Sequence, residues 1–167
     1  MPTAIVWFRK CLRLHDNAAL TWACESSEVD SILPVFIMEE ELGSEGTGGI
    51  GFNRARFLVQ SLRDLDDSLQ RELGLRLRIV RGGFLETMEA IIKGLDESTP
   101  YLAYEYCSEP KSLSVSAEIS GWELSGGMDF ESRIFSGSHT LLDIEKTVSS
   151  ENYSNPKSMK DLSLIHI

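Results

Sequence analysis

TAIVWFRKCLRLHDNAALTWAC, residues 3–24, carries in one stretch the pattern on which the fold turns. Thr3–Phe8 is a continuous apolar run rich in β-branched and aromatic residues, the signature of a strand buried on both faces. Such strands belong to parallel sheets covered by helices on each side. Arg9, Lys10, Arg13 and His15 then crowd into the turn. Asp16 or Asn17 can cap a helix beginning at Ala18, in which Leu20 and Cys24 fall on one face. A buried strand that runs through a short polar turn into a capped helix is half of a βαβ unit.

The same alternation continues outward. SILPVFIM, residues 31–38, reads as a second strand, with Pro34 placing its missing donor at an edge or a bulge. Between Asn53 and Leu73, Leu58, Leu62, Leu65, Leu69 and Leu73 recur at spacings of three and four, which predicts a long amphipathic helix. LRLRIV, residues 75–80, is a third strand, FLETMEAIIKGL a helix, YLAYEY, residues 101–106, a fourth strand, SLSVSAEISGW a serine-laden helix and MDFESRIF, residues 128–135, a fifth strand. Parallel neighbours need right-handed crossovers, and the helices fill them. The expected fold is a doubly wound α/β domain with a five-stranded parallel sheet in the order 3-2-1-4-5.

Composition narrows the function. The 167 residues hold 16 Lys and Arg against 26 Asp and Glu, a formal charge of −10 that opposes contact with phosphate backbones or anionic lipid. No nucleic-acid or membrane partner is expected for this chain alone. Three scattered cysteines form neither a disulfide framework nor a zinc pattern, and Met1 leads directly into a run too short to span a membrane. A reduced intracellular setting follows.

GTGGIG, residues 46–51, matches GxGxxG literally. A dinucleotide fingerprint needs its glycines straight off a strand, with phosphate on the helix N-terminus. Here Glu39, Glu40 and Glu41 intervene and would repel phosphate, so a loop is the better reading. His15 and His139 have no triad partners at a recognisable spacing, Asp16 and Asn17 suit caps, and no metal-ligand cluster stands out. Neither catalytic nor metal residues are assigned.

In an open α/β sheet the ligand crevice lies outside the carboxyl ends of the strands, where strand order reverses. Arg9 and Lys10 leave the first strand at that end, and Glu105 and Tyr106 leave its neighbour, the fourth. Arg54 and Arg56, in the first turn of the long helix, can close a third side.

IVWFRKCLRLHDNAAL, ILPVFIME, GFNRARFLVQSLRDLDDSL, EYCSEP and SHTLLD, in this order and spacing, strongly resemble the N-terminal α/β domain of the cryptochrome/photolyase family, in the branch of (6-4) photolyases and animal-type cryptochromes. The resemblance covers roughly residues 3–145. It implies a light-harvesting domain that holds an antenna chromophore, a deazaflavin or a methenyl-folate, within a blue-light flavoprotein whose FAD lies in a separate helical domain. By motif position it marks Arg9, Met38, Glu39, Arg54 and Glu105 as the antenna site, to which Lys10 is added by its place at the end of the first strand. Residues 1–145 are then the α/β domain, and 146–167 a tail or truncated linker towards the helical domain. FAD is not expected on this chain alone, and the family's carbon–carbon lyase activity lies outside these residues. Two other readings stay open. One is a signalling module that meets protein partners in circadian transcriptional control, in the nucleus or cytoplasm; the other is a generic nucleotide-binding protein.

Overall fold

The computed structural model describes residues 2–39, 51–95, 99–107, 110–125 and 129–135. The glycine loop up to Ile50, SHTLLD with His139, and the 146–167 segment lie outside the described residues. The elements are β1 (Thr3–Phe8), α1 (Ala18–Glu25), β2 (Ser31–Met38), α2 (Phe52–Leu73), β3 (Arg78–Arg81), α3 (Phe84–Lys93), β4 (Tyr101–Glu105), α4 (Pro110–Ser125) and β5 (Glu131–Phe135). All neighbouring strands pair in parallel, in the order β3-β2-β1-β4-β5. The expected topology is the one observed.

β1 lies in the centre of the sheet, and its alternate side chains feed two cores. Ala4, Val6 and Phe8 face α1 and α2, where Ala19, Leu20, Leu62, Leu65 and Leu69 meet them. Ile5 and Trp7 face α3 and α4, against Phe84, Met88, Ile91 and Ile119. This two-sided burial is why the first strand reads as unbroken apolar sequence. Each fully buried Leu or Ile contributes about 1.5–3 kcal/mol relative to exposure.

α2 behaves as its leucine spacing requires: Leu62, Leu65 and Leu69 are buried and Leu58 packs against the same cluster. Its end is set by Gly74, whose φ of 69° is left-handed. That conformation lets the N–H groups of Gly74 and Leu75 close on the carbonyls of Gln70 and Leu69. Asp66 then ties the following turn to the helix by accepting from the Leu77 N–H at 2.8 Å and pairing with Arg76 at 3.1 Å.

Three local expectations need correction. Cys24 is exposed, because the buried face of α1 is Ala19, Leu20 and Ala23. β3 starts at Arg78 rather than Leu75, the turn from α2 having used the preceding residues. Pro34 is buried in an interior strand and not at a sheet edge. It pairs opposite Val6, but pairing with β3 begins only at Val35, so Pro34 lies where β2 has a strand on one flank alone.

The serine-laden α4 also has a physical basis. Ser116 and Ser120 return their hydroxyls to the carbonyls four residues back, at 3.0 and 3.1 Å, and Ile119 is fully buried. Glu123 fastens the helix to β5 by accepting from both the N–H and the hydroxyl of Ser132.

Candidate ligand crevice at the carboxyl ends of β1 and β4

Reversal of strand order between β1 and β4 leaves an opening at their carboxyl ends, since the crossovers from these two strands depart to opposite faces of the sheet. The crevice there is lined by Trp7, Arg9, Lys10, Glu105, Tyr106 and the start of α1, and its enclosed space is about 10 Å³. That space is about the size of one water, so a ring ligand enters only if the lining side chains move apart.

The floor is aromatic. Trp7 stacks on Phe84 with ring centroids 4.2 Å apart and meets Tyr104 at 5.6 Å. The Arg9 guanidinium lies 4.4 Å from the centroid of the Trp7 ring and 5.9 Å from that of Tyr104. The indole therefore holds the guanidinium by its π face, at the point where the strand ends. Burial pushes the Tyr104 phenol above its ordinary pKa, offset in part by Ser116 and the Arg9 charge.

One wall is the turn into α1. Asn17 is buried and caps the helix, its Oδ1 accepting from the Leu20 N–H at 2.9 Å while its Nδ2 donates to the Arg13 carbonyl at 3.3 Å. Arg13 pairs with Asp16 at 3.1 Å, and Asp16 takes a left-handed φ of 53° that aspartate tolerates better than most residues. The basic cluster after β1 thus divides: Arg9 and Lys10 line the crevice, Arg13 braces the turn, and His15 is exposed.

The structure brings Arg9, Lys10 and Glu105 to this one crevice. Met38 and Glu39 stand at the carboxyl end of β2, on the far side of β1. Met38 packs into the α1–α2 core, and its carbonyl accepts from the Gly82 N–H at 3.0 Å. Arg54 is exposed in the first turn of α2 and is not among the residues lining the crevice. Trp7, Cys11, Asn17 and Cys107 line it without having been singled out from sequence. Strand alternation could have found Trp7, since it precedes Arg9 by two positions. Among the described residues no group of three or more His, Cys, Asp or Glu could hold a metal ion, and no helix is long and apolar enough to cross a membrane.

The DNA photolyase family model matches residues 4–158. The chain is 37% identical over 146 residues to a (6-4)DNA photolyase of Arabidopsis thaliana, covering 83% of this chain and 25% of that protein. It is also 37% identical over 145 residues to cryptochrome-1 of Mus musculus, covering 87% of this chain and 22% of that one. Among solved structures, a cryptochrome of Synechocystis sp. PCC6803 superposes with a TM-score of 0.72 at 28% identity, over 88% of this chain and 29% of that chain. An archaeal photolyase of Sulfolobus tokodaii, described with two FAD molecules and a novel light-harvesting cofactor, gives 0.63 at 25% identity, over 80% and 29%. The chain spans about a quarter of the length of these relatives.

Proposed function

The chain belongs to the DNA photolyase family, and on that premise we propose that its α/β domain is the light-harvesting part of a blue-light flavoprotein, a DNA photolyase or a cryptochrome. The crevice beside β1 and β4 is the site of an antenna chromophore, a deazaflavin or a methenyl-folate. The observation that carries this reading is the coincidence, in one opening at the switch point, of an aromatic floor, two cations and a carboxylate.

The polar groups of that donor set match those of such a ring system, for which the lining side chains must move apart. The buried Trp7 ring holds Arg9 in place at the opening. Arg9 and Lys10 face the anionic or carbonyl side of the ligand, and Glu105 accepts from a ring N–H. A half-buried carboxylate or guanidinium bonded to a ligand gives a charge-assisted hydrogen bond of about 1.5–3 kcal/mol. When bound, the chromophore supplies absorption of near-ultraviolet or blue light and passes the excitation on. The residues named here bind and orient it, and electron transfer to substrate is not assigned to them. The Sulfolobus tokodaii relative supports the reading through the light-harvesting cofactor attributed to it.

The test is incubation of the 167-residue chain with methenyl-tetrahydrofolate and, separately, with a deazaflavin, followed by gel filtration and an absorbance spectrum. A near-ultraviolet or blue band eluting with the protein is expected. It should weaken on Arg9→Ala and on Glu105→Gln and persist on Lys93→Ala, an exposed lysine of α3 paired with Glu89. Retention of neither compound by the unsubstituted chain would refute the reading.

A further inference from the structure

The sheet ends at β3, which pairs with β2 on one flank and has no strand on the other. One bond fixes which of its backbone groups face outward. Gly82 donates its N–H to the Met38 carbonyl of β2 at 3.0 Å. Backbone groups alternate in direction along a strand, so Val80 and Arg78 also face β2, while Leu77, Ile79 and Arg81 face away from it. Asp66 of α2 already accepts from the outward Leu77 N–H at 2.8 Å. Ile79 and Arg81 follow, presenting two donors and two acceptors just beyond the position that the helix covers.

The side chains decide what such an edge can take. Ile79 stands opposite Phe36 and Arg81 opposite Met38, both of which pack in the α1–α2 core, yet Ile79 is 48% exposed. Arg78 and Arg81 are exposed, and among the described residues neither forms an ion pair. A second copy of β3 laid antiparallel on the first would set arginine against arginine at both ends, and like charges directly opposite destabilise a strand pair. The arginines therefore guard the edge against its own kind and favour a guest of opposite charge.

We propose that the β3 edge is a docking site for an extended, acidic segment of a partner protein, which joins the five-stranded sheet as a further strand by bonding to the backbone of Ile79 and Arg81. Arg-Ile-Val-Arg is complemented by a guest that reads acid, apolar, apolar, acid, a pattern that is the same in both directions and so fits either strand orientation. Its carboxylates meet Arg78 and Arg81, and an apolar side chain covers Ile79. In such additions backbone bonds supply affinity and side chains supply the choice of guest. The crevice reading plays no part in this inference.

The experiment titrates the isotope-labelled 167-residue chain with the peptide acetyl-Ser-Glu-Val-Val-Glu-Ser-amide, followed by proton–nitrogen NMR correlation spectra and amide exchange. At a peptide concentration about ten times its Kd, exchange of the Ile79 and Arg81 amides should slow about tenfold, with amides of β5 at the opposite edge unchanged. Arg78→Glu combined with Arg81→Glu should weaken this peptide about two- to fivefold per site and take up acetyl-Ser-Lys-Val-Val-Lys-Ser-amide in its place. Both positions are exposed, so the variant should fold, and unaltered exchange in β1 checks that it does. Movement of the Ile79 and Arg81 signals without slower exchange would mean contact through side chains alone and would overturn strand addition. Equal affinity of the unsubstituted chain for the lysine peptide, or no response to either peptide, would overturn the acidic guest. Light scattering on the chain without peptide covers the other occupant: a dimer with the Ile79 and Arg81 amides protected would assign the edge to a second copy instead.

Discussion

Arg9 rests against Trp7, its guanidinium 4.4 Å from the indole centroid, at the point where β1 ends. One contact thus joins the α3–α4 core to the crevice: the indole is 6% exposed and stacked on Phe84 below, while the cation it holds lines the opening above. Removing Arg9 should leave the fold intact and empty the site. Arg9→Ala is expected to lower stability by about 0.5–1 kcal/mol, the value of a cation–π contact near the surface. Its affinity for an antenna chromophore should fall about 10- to 100-fold. Urea unfolding and chromophore titration measure the two separately, and a stability loss with unchanged affinity would show that Arg9 serves the core alone.

Asn17 makes a different demand, because its amide both caps α1 and braces the basic turn. Asn17→Ala is expected to cost about 0.5–2 kcal/mol. Asn17→Asp keeps the acceptor for the Leu20 N–H and loses the donor to the Arg13 carbonyl, so it should fall between the two. Thermal and urea midpoints for the three proteins decide this. Equal midpoints for Asn17→Ala and the parent would mean that the cap bond adds nothing.

At the far edge of the sheet, Glu123 is the clasp between α4 and β5. Glu123→Ala should free the Ser132 amide and speed its hydrogen exchange, with amides of β1 unaffected because that strand is held by β2 and β4 on both sides. Exchange measured by NMR or mass spectrometry provides the check. An unchanged rate at Ser132 would place the anchoring of β5 in its backbone ladder with β4.

Tyr104 gives a pH dependence whose sign can be worked out. Burial is the main cause that raises its phenol above the ordinary value, so the folded chain holds this proton more tightly than the unfolded chain. The contribution is full below the unfolded value of about 10 and is lost as pH climbs from there through the raised folded value, because the unfolded chain ionises first. Its buried hydroxyl has the Ser116 side chain beside it but no well-formed hydrogen bond. Tyr104→Phe should therefore be nearly neutral at pH 7, since only the weak Ser116 contact is lost and a buried polar group is removed. Above about pH 10 the variant should lose less stability than the parent. Unfolding free energies along a pH series test both statements, and parallel curves would contradict the second.

The order of elements and the parallel sheet were legible because they depend on local periodicity. A strand buried on both faces must be apolar throughout, as Thr3–Phe8 is, and a helix on a sheet must repeat its leucines every three or four residues, as α2 does. Those constraints act within one element, so the chain by itself determines them. That Arg9 and Glu105 leave adjacent strands at the same end was expected from the common 3-2-1-4-5 order and is observed. What tertiary structure alone decided is which side chains meet there. Lys10 shares the crevice with Cys107, nearly a hundred residues away in sequence. Arg54 does not join them, because its exposure depends on where α2 packs and not on its place in the helix. Pro34 is tolerated in an interior strand for a similar reason, since only the stagger of β3 leaves one of its flanks open. Packing angle, stagger and strand-end bending are set by contacts between elements far apart in the chain, and no local pattern of residues encodes them.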